Sequence, residues 1–198
     1  MEKTHSNSRS IESRIMDKLP IILIVGKPGA GKSTFGRMLA SELSTDYYSI
    51  GGFIREVLKI PDPHISVDKN MVLDRFHEHL LLNNHQGFVL IDCHPYPQDY
   101  LRAIREFVSK PGLTLHSVIE VYASDEVALR RLDSRLRAGD PSHVRLKYYN
   151  DHRPFIDQLT QGNRSLVIDN TGERTEEELH TTAQQIITKL GLVWKKNT

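Results

Sequence analysis

One cysteine in 198 residues leaves no disulfide framework and too few thiolates for a structural zinc site. Charge of one sign is missing as well. The 26 basic and 25 acidic residues leave a formal charge of +1, so bulk electrostatics draws the chain to neither nucleic acid nor membrane. No apolar run approaches the roughly 18 residues that a membrane span needs. The first eighteen residues, MEKTHSNSRSIESRIMDK, lack the apolar centre of a secretory signal and read as a flexible tail. Glu2, Glu12 and Asp17 count against an organellar presequence, and a cytoplasmic location is the default expectation. Internal repeats and long linkers are absent too. With 38% hydrophobic residues, the remainder, 19–198, is expected to form one domain with a real core.

What is present alternates. PIILIV (Pro20 to Val25) is a continuous apolar run, the pattern of a strand buried on both faces. Helical spacing follows from Ser33 to about Leu43, then a short strand at Tyr47-Tyr48-Ser49. A short helix is expected from Gly51 to Ile60, stopped by Pro61 and Pro63, and a longer one from Val67 to Leu82. Gly87 to Ile91 reads as a strand, Tyr100 to Val108 as a helix and His116 to Tyr122 as a strand. Ser124-Asp125-Glu126 opens the next helix with a cap and early acids, and that helix is expected to reach about Arg137. Beyond the break at Gly139-Asp140-Pro141, helix resumes over Ser142 to Gln161, then a strand at Ser165 to Ile168 and a helix at Thr175 to Leu190. Alternating strands and helices predict an α/β fold, a parallel sheet with helices on both faces.

Chemistry enters at GKPGAGKS, Gly26 to Ser33, which fits G-x-x-x-x-G-K-[ST] between a buried strand and a helix. Glycines let backbone amides face phosphate oxygens, the helix offers its positive end, and Lys32 adds a mobile charge. The loop from Gly26 through Pro28, Gly29, Ala30, Gly31, Lys32, Ser33 and Thr34 is therefore the candidate nucleotide site, with Ser33 able to ligate Mg2+. Asp92 ends a buried strand at the edge where open parallel sheets bind ligands; it either holds the water shell of that Mg2+ or merely caps its loop. Arg130, Arg131, Arg135, Arg137 and Arg145 form a basic run, either a solvated face or cations over a transferring phosphoryl group. On one helix Arg131 and Arg135 share a face while Arg130 and Arg137 diverge from it. His77 and His79, two apart, point to opposite sides of a helix and cannot share a metal.

With those residues in view, the chain resembles the adenylate kinase-like nucleoside monophosphate kinases, the P-loop kinases with a short lid, over roughly residues 20–190. The resemblance implies a five-stranded parallel sheet, an acceptor subdomain at about 49–84, a lid at about 135–145, and ATP with Mg2+ as cofactors. GKPGAGKST is similar to the family's phosphate loop, with Ser33 where Gly is usual. YYSIGGFIRE resembles the acceptor turn, usually Ser-Thr-Gly-Asp, and puts Arg55 on the acceptor phosphate. VIEVYASDEVALRRLDSR resembles the strand and helix leading to the lid, which implies Arg131 near the donor base and Arg135 near the transferring phosphates. RLKYYNDHRP carries a catalytic arginine onto Arg145, IDNTG (168–172) resembles the turn beside the donor adenine, and Gln98 would meet the acceptor base.

The departures cluster on the acceptor half. Cys93-His94-Pro95-Tyr96 stands where the family reads Gly-aromatic-Pro-Arg, and Ile50 and Gly52 replace Thr and Asp. A tyrosine offers one donor and no charge where arginine offers five donors and a permanent positive charge. Three expectations follow. The first is an ATP-dependent nucleoside monophosphate kinase in which Lys32, Arg131, Arg135 and Arg145 carry catalysis. The second is a P-loop kinase for another small acceptor, and the third a nucleotide-binding regulatory protein with little transfer. Partners are expected to be small nucleotides, with no nucleic acid and no membrane, and the chain is expected to be a monomer.

Overall fold

The computed structural model describes residues 18–60, 68–85, 87–93, 98–134, 158–159 and 161–192, with backbone alone over 98–101. The expected lid with Arg135 and Arg145, the helix over 142–161 in its greater part, the 94–97 loop with Tyr96, and Pro61 with Pro63 lie outside the described residues.

Five strands form one parallel sheet: β1 (Leu19–Val25), β2 (Asp46–Ser49), β3 (Val89–Asp92), β4 (Leu113–Tyr122) and β5 (Arg164–Asp169). Six helices accompany them among the described residues: α1 (Lys32–Leu43), α2 (Ile50–Glu56), α3 (Lys69–Leu82), α4 (Gln98–Val108), α5 (Asp125–Asp133) and α6 (Glu176–Leu190). Across the sheet the order is β2-β3-β1-β4-β5. The chain leaves β1 toward one side and later crosses to the other, so β1 lies at the point where the winding reverses.

β1 shows why its sequence is apolar without alternation. Ile21, Leu23 and Val25 enter one core with Phe53, Val72, Phe76, Leu80, Ile104 and Phe107. Ile22 and Ile24 enter the other, with Phe35, Leu39, Val127, Ala183 and Ile186. Helices α2, α3 and α4 thus cover one face and α1, α5 and α6 the other. Helix starts follow ordinary capping chemistry. Asp68 accepts from the amides of Asn70 and Met71, and Thr175 and Glu178 form a reciprocal capping box. No helix among the described residues is long and apolar enough to cross a membrane.

Three boundaries differ from the sequence expectation by three residues or more. α5 ends at Asp133 rather than near Arg137, where the Ser134 amide turns back to the Arg130 and Leu132 carbonyls. α2 ends at Glu56, before the prolines, because the Phe53 carbonyl accepts from both Val57 and Leu58 and Lys59 turns into the left-handed region at φ 57°. β4 begins at Leu113 rather than His116, since Leu19, Pro20 and Ile21 of β1 pair with Leu113, Thr114 and Leu115. His77 and His79 do diverge: His77 meets the Pro111 carbonyl at 2.9 Å, while His79 packs edge-on to Tyr48.

Phe76 is fully buried, stacked on Phe107 with ring centroids 5.6 Å apart and tilted against Phe53 at 5.0 Å. Phe76→Ala is expected to lower unfolding stability by about 3–5 kcal/mol, read from the urea midpoint. A loss below about 1 kcal/mol would contradict this packing.

Candidate active site

All five strands end at the same edge of the sheet, and the phosphate loop springs from its centre. The loop's glycines answer to backbone on either side. A Cβ on Gly26, at φ 145°, would stand 2.2 Å from the Val121 carbonyl oxygen, and one on Gly29, at φ 77°, 2.3 Å from that of Ala128. β4 and α5 therefore press directly on the loop, and only glycine fits at these two positions. Gly31 caps α1, so the positive end of that helix faces the loop interior.

Lys32 is buried and donates from Nζ to the carbonyls of Gly26 at 2.9 Å and Lys27 at 3.0 Å. Its charge is thus held inside the loop. Ser33 donates from Oγ to Asp92 Oδ2 at 2.6 Å. Asp92 is buried at the last position of β3, paired in register with Ile24 of β1 on one side and Ser49 of β2 on the other. A second hydroxyl reaches the same oxygen: Tyr47 donates to Asp92 Oδ2 at 2.8 Å. Burial, and after it the charge of Asp92, pushes the Tyr47 phenol well above its ordinary range, so it remains a protonated donor. Cys93 is buried next door, and burial together with the Asp92 charge pushes its thiol up to about 12. It is an inert side chain, with no thiolate available for nucleophilic chemistry.

The remaining strand ends supply supports. Lys27, buried within the loop, pairs with Asp125 at the start of α5 and lies 5.3 Å from the centre of the Tyr122 ring. Asn170, after β5, donates from Nδ2 to the Ala30 carbonyl at 2.8 Å. Arg131 spans the same turn, donating to the carbonyls of Asn170 at 2.9 Å and Gly172 at 3.1 Å. Thr171 ties the turn to the head of α5 by accepting from the Ser124 amide. Asp169 is held below the usual carboxylate range chiefly by the hydroxyl and amide of Thr171, which fixes the turn's outer side. Arg130 points away to an exposed pairing with Glu173, as the divergence of the basic run predicts.

The structure thus brings together Gly26 to Thr34, Asp92, Arg131 and the 168–172 turn. Arg55 sits in the last turn of α2, its guanidinium folded back toward Gly51, on a helix capped by Ser49 beside Asp92. Gln98 begins α4, where only the backbone is described. Sequence reading missed Tyr47 and Lys27 as members of the site, and it named the 168–172 turn without the contact that Asn170 makes to the loop. Tyr47 is visible only once strand register is known. Lys27 lay in plain view as an unspecified position of the loop motif.

Three comparisons bear on this arrangement. The model of the AAA domain family matches residues 22–142. An adenylate kinase of a Nitratiruptor species is 28% identical over 185 residues, 84% of this chain and 94% of that protein. One of Mycobacterium tuberculosis is 32% identical over 146 residues, 66% of this chain and 80% of that protein. Among solved structures, a shikimate kinase from Bacteroides thetaiotaomicron superposes with a TM-score of 0.62, covering 86% of this chain and 98% of its own, a likeness of fold alone at 16% identity. With a phosphate loop and its lysine at the centre of the carboxyl edge of a parallel sheet, the chain belongs to the AAA domain family of P-loop proteins and, within that fold, to the adenylate kinase-like kinases.

Proposed function

We propose that the chain transfers the γ-phosphoryl group of ATP, held with Mg2+, to a nucleoside monophosphate. The observation that carries this reading is the 2.6 Å contact of Ser33 with Asp92 beside the buried Lys32, at the carboxyl edge of the sheet. Ser33 and Asp92 offer only oxygen donors, which is what Mg2+ takes from protein when phosphates and water complete its shell. Bound there, the ion would neutralise charge developing on the phosphate oxygens.

The chain's own residues have separable tasks in this reading. Backbone amides of Gly29 to Thr34 cradle the phosphates, and Lys32 exchanges its carbonyl partners for phosphate oxygens. Arg131, bonded to the Asn170 and Gly172 carbonyls, would by resemblance lie near the donor base and take part in closing over the transferring group. By resemblance, Arg135 and Arg145 close over that group, and Arg55 and Gln98 meet the acceptor. Positioning and charge supply the catalysis, so no strong base is needed.

A second reading, a kinase for another small acceptor, rests on the acceptor half. Tyr96 stands where the family has its arginine, and Gly52 where it has aspartate. In the structure the Gly52 amide is taken by the Ser49 hydroxyl, a backbone cap with no acidic side chain of its own to meet an acceptor. The cytoplasm and a monomeric state remain part of the proposal.

Turnover of ATP-Mg2+ with a panel of monophosphates, followed as ADP formation, tests the first reading against the second. Stimulation by AMP, CMP or UMP is expected, and activity with unrelated acceptors alone would favour the second. Tight ATP binding without stimulation by any acceptor would contradict both. Lys32→Ala is expected to lower turnover by about a hundred- to a thousandfold or more, because it removes a cation that serves the transition state. Unchanged turnover would refute the phosphate-loop assignment.

A further inference from the structure

We propose that Tyr47 is a positioning residue of the metal-nucleotide site, orienting the Asp92 carboxylate through a hydroxyl anchored from β2. The inference rests on the reading of Ser33 and Asp92 as the residues that serve Mg2+.

The geometry is specific. Asp92 Oδ2 accepts from Ser33 at 2.6 Å and from Tyr47 at 2.8 Å, two donors arriving from different elements, α1 and β2. A carboxylate held by a single donor can swing about that contact. With two hydroxyls on one oxygen, rotation breaks both bonds, so the plane of the carboxylate is fixed relative to the phosphate loop. In this reading the Ser33 hydroxyl would serve the ligand directly, while the Tyr47 hydroxyl, bonded to the carboxylate and within hydrogen-bonding reach of Ser33 as well, supports the pair from β2.

Tyr47 is itself held in place. Its ring lies against Gly36 of α1, where an added Cβ would come within 2.4 Å of Cε2. The guanidinium of Arg37 lies 5.8 Å from the ring centre. The missing side chain at Gly36 is therefore a seat for the ring, and it lies three residues after Ser33 on the same helix. A helix-interior glycine costs stability relative to alanine, and here the ring it admits carries the hydroxyl to Asp92. Register completes the link: Tyr47 pairs with Leu90 and Ser49 with Asp92, so β2 runs alongside β3 up to the carboxylate. Such a support behind the ligand-contacting shell is what fixes metal-binding groups in place.

Two variants test the assignment. Tyr47→Phe removes only the hydroxyl, while Gly36→Ala keeps it and displaces the ring. Both are measured by equilibrium binding of a fluorescent ATP analogue in EDTA and across a Mg2+ titration, and by steady-state turnover. The expected result is affinity in EDTA within about twofold of wild type, with the Mg2+ concentration for half-maximal binding raised about tenfold. kcat falls by a similar factor with the acceptor KM unchanged, and added Mg2+ restores part of the loss. In an Asp92→Asn background Tyr47→Phe has no further effect. A Tyr47→Phe protein with a wild-type Mg2+ response overturns the inference and leaves the kinase reading standing. So does an equal loss of affinity in EDTA and in Mg2+, which is the mark of a damaged pocket. A wild-type protein whose nucleotide binding ignores Mg2+ overturns both.

Discussion

Ser33 and Asp92 lie 59 positions apart in the chain, yet their side chains share a short hydrogen bond. That contact depends on parallel strands that end together at one edge. Because β1 pairs with β3 through Ile24 and Asp92, the first turn of α1 and the last residue of β3 arrive at the same place. The pairing is held by burial on both faces of β1, whose five fully buried residues feed two separate cores. The site is in this sense a product of the sheet, and the loop sequence alone would not assemble it.

In the proposed reading, donor and acceptor halves differ in how completely they are built. On the donor side each strand end contributes a part. β1 gives the loop, β3 gives Asp92, β4 leads to Asp125, and the turn after β5 gives Asn170 and the carbonyls that hold Arg131. The hydrogen bond from Asn170 to Ala30 joins the turn to the loop, so the two are positioned as one unit. On the acceptor side Arg55 rides on a helix of only seven residues, launched from the strand that also carries Tyr47. Ile50, Gly52 and Tyr96 stand where the family that the sequence resembles reads other residues. A kinase that keeps its donor machinery while altering its acceptor contacts is free to change what it phosphorylates.

The sequence was most legible where local pattern and global fold ask for the same thing. The unbroken PIILIV run, the glycine spacing after it and the Asp at the end of VLID could all be read without coordinates, because burial on two faces and phosphate-loop geometry leave few alternatives. Legibility failed where the deciding partner was remote. The end of α2 was assigned to the prolines, whereas the Phe53 carbonyl and the turn at Lys59 decide it. The first residues of β4 do not present an unbroken apolar run, and their strand character comes from pairing with β1. Tyr47 reads as an ordinary strand aromatic until register places its hydroxyl on a carboxylate 45 residues away.

The central claim is that this edge moves a phosphoryl group from ATP to a nucleotide acceptor. The most direct measurement is a single-turnover reaction with ATP labelled at the γ-phosphate, Mg2+ and a nucleoside monophosphate, with the products separated and the label located. The account predicts label in the nucleoside diphosphate formed from the acceptor. Label remaining in ATP, or appearing only as inorganic phosphate, would contradict it.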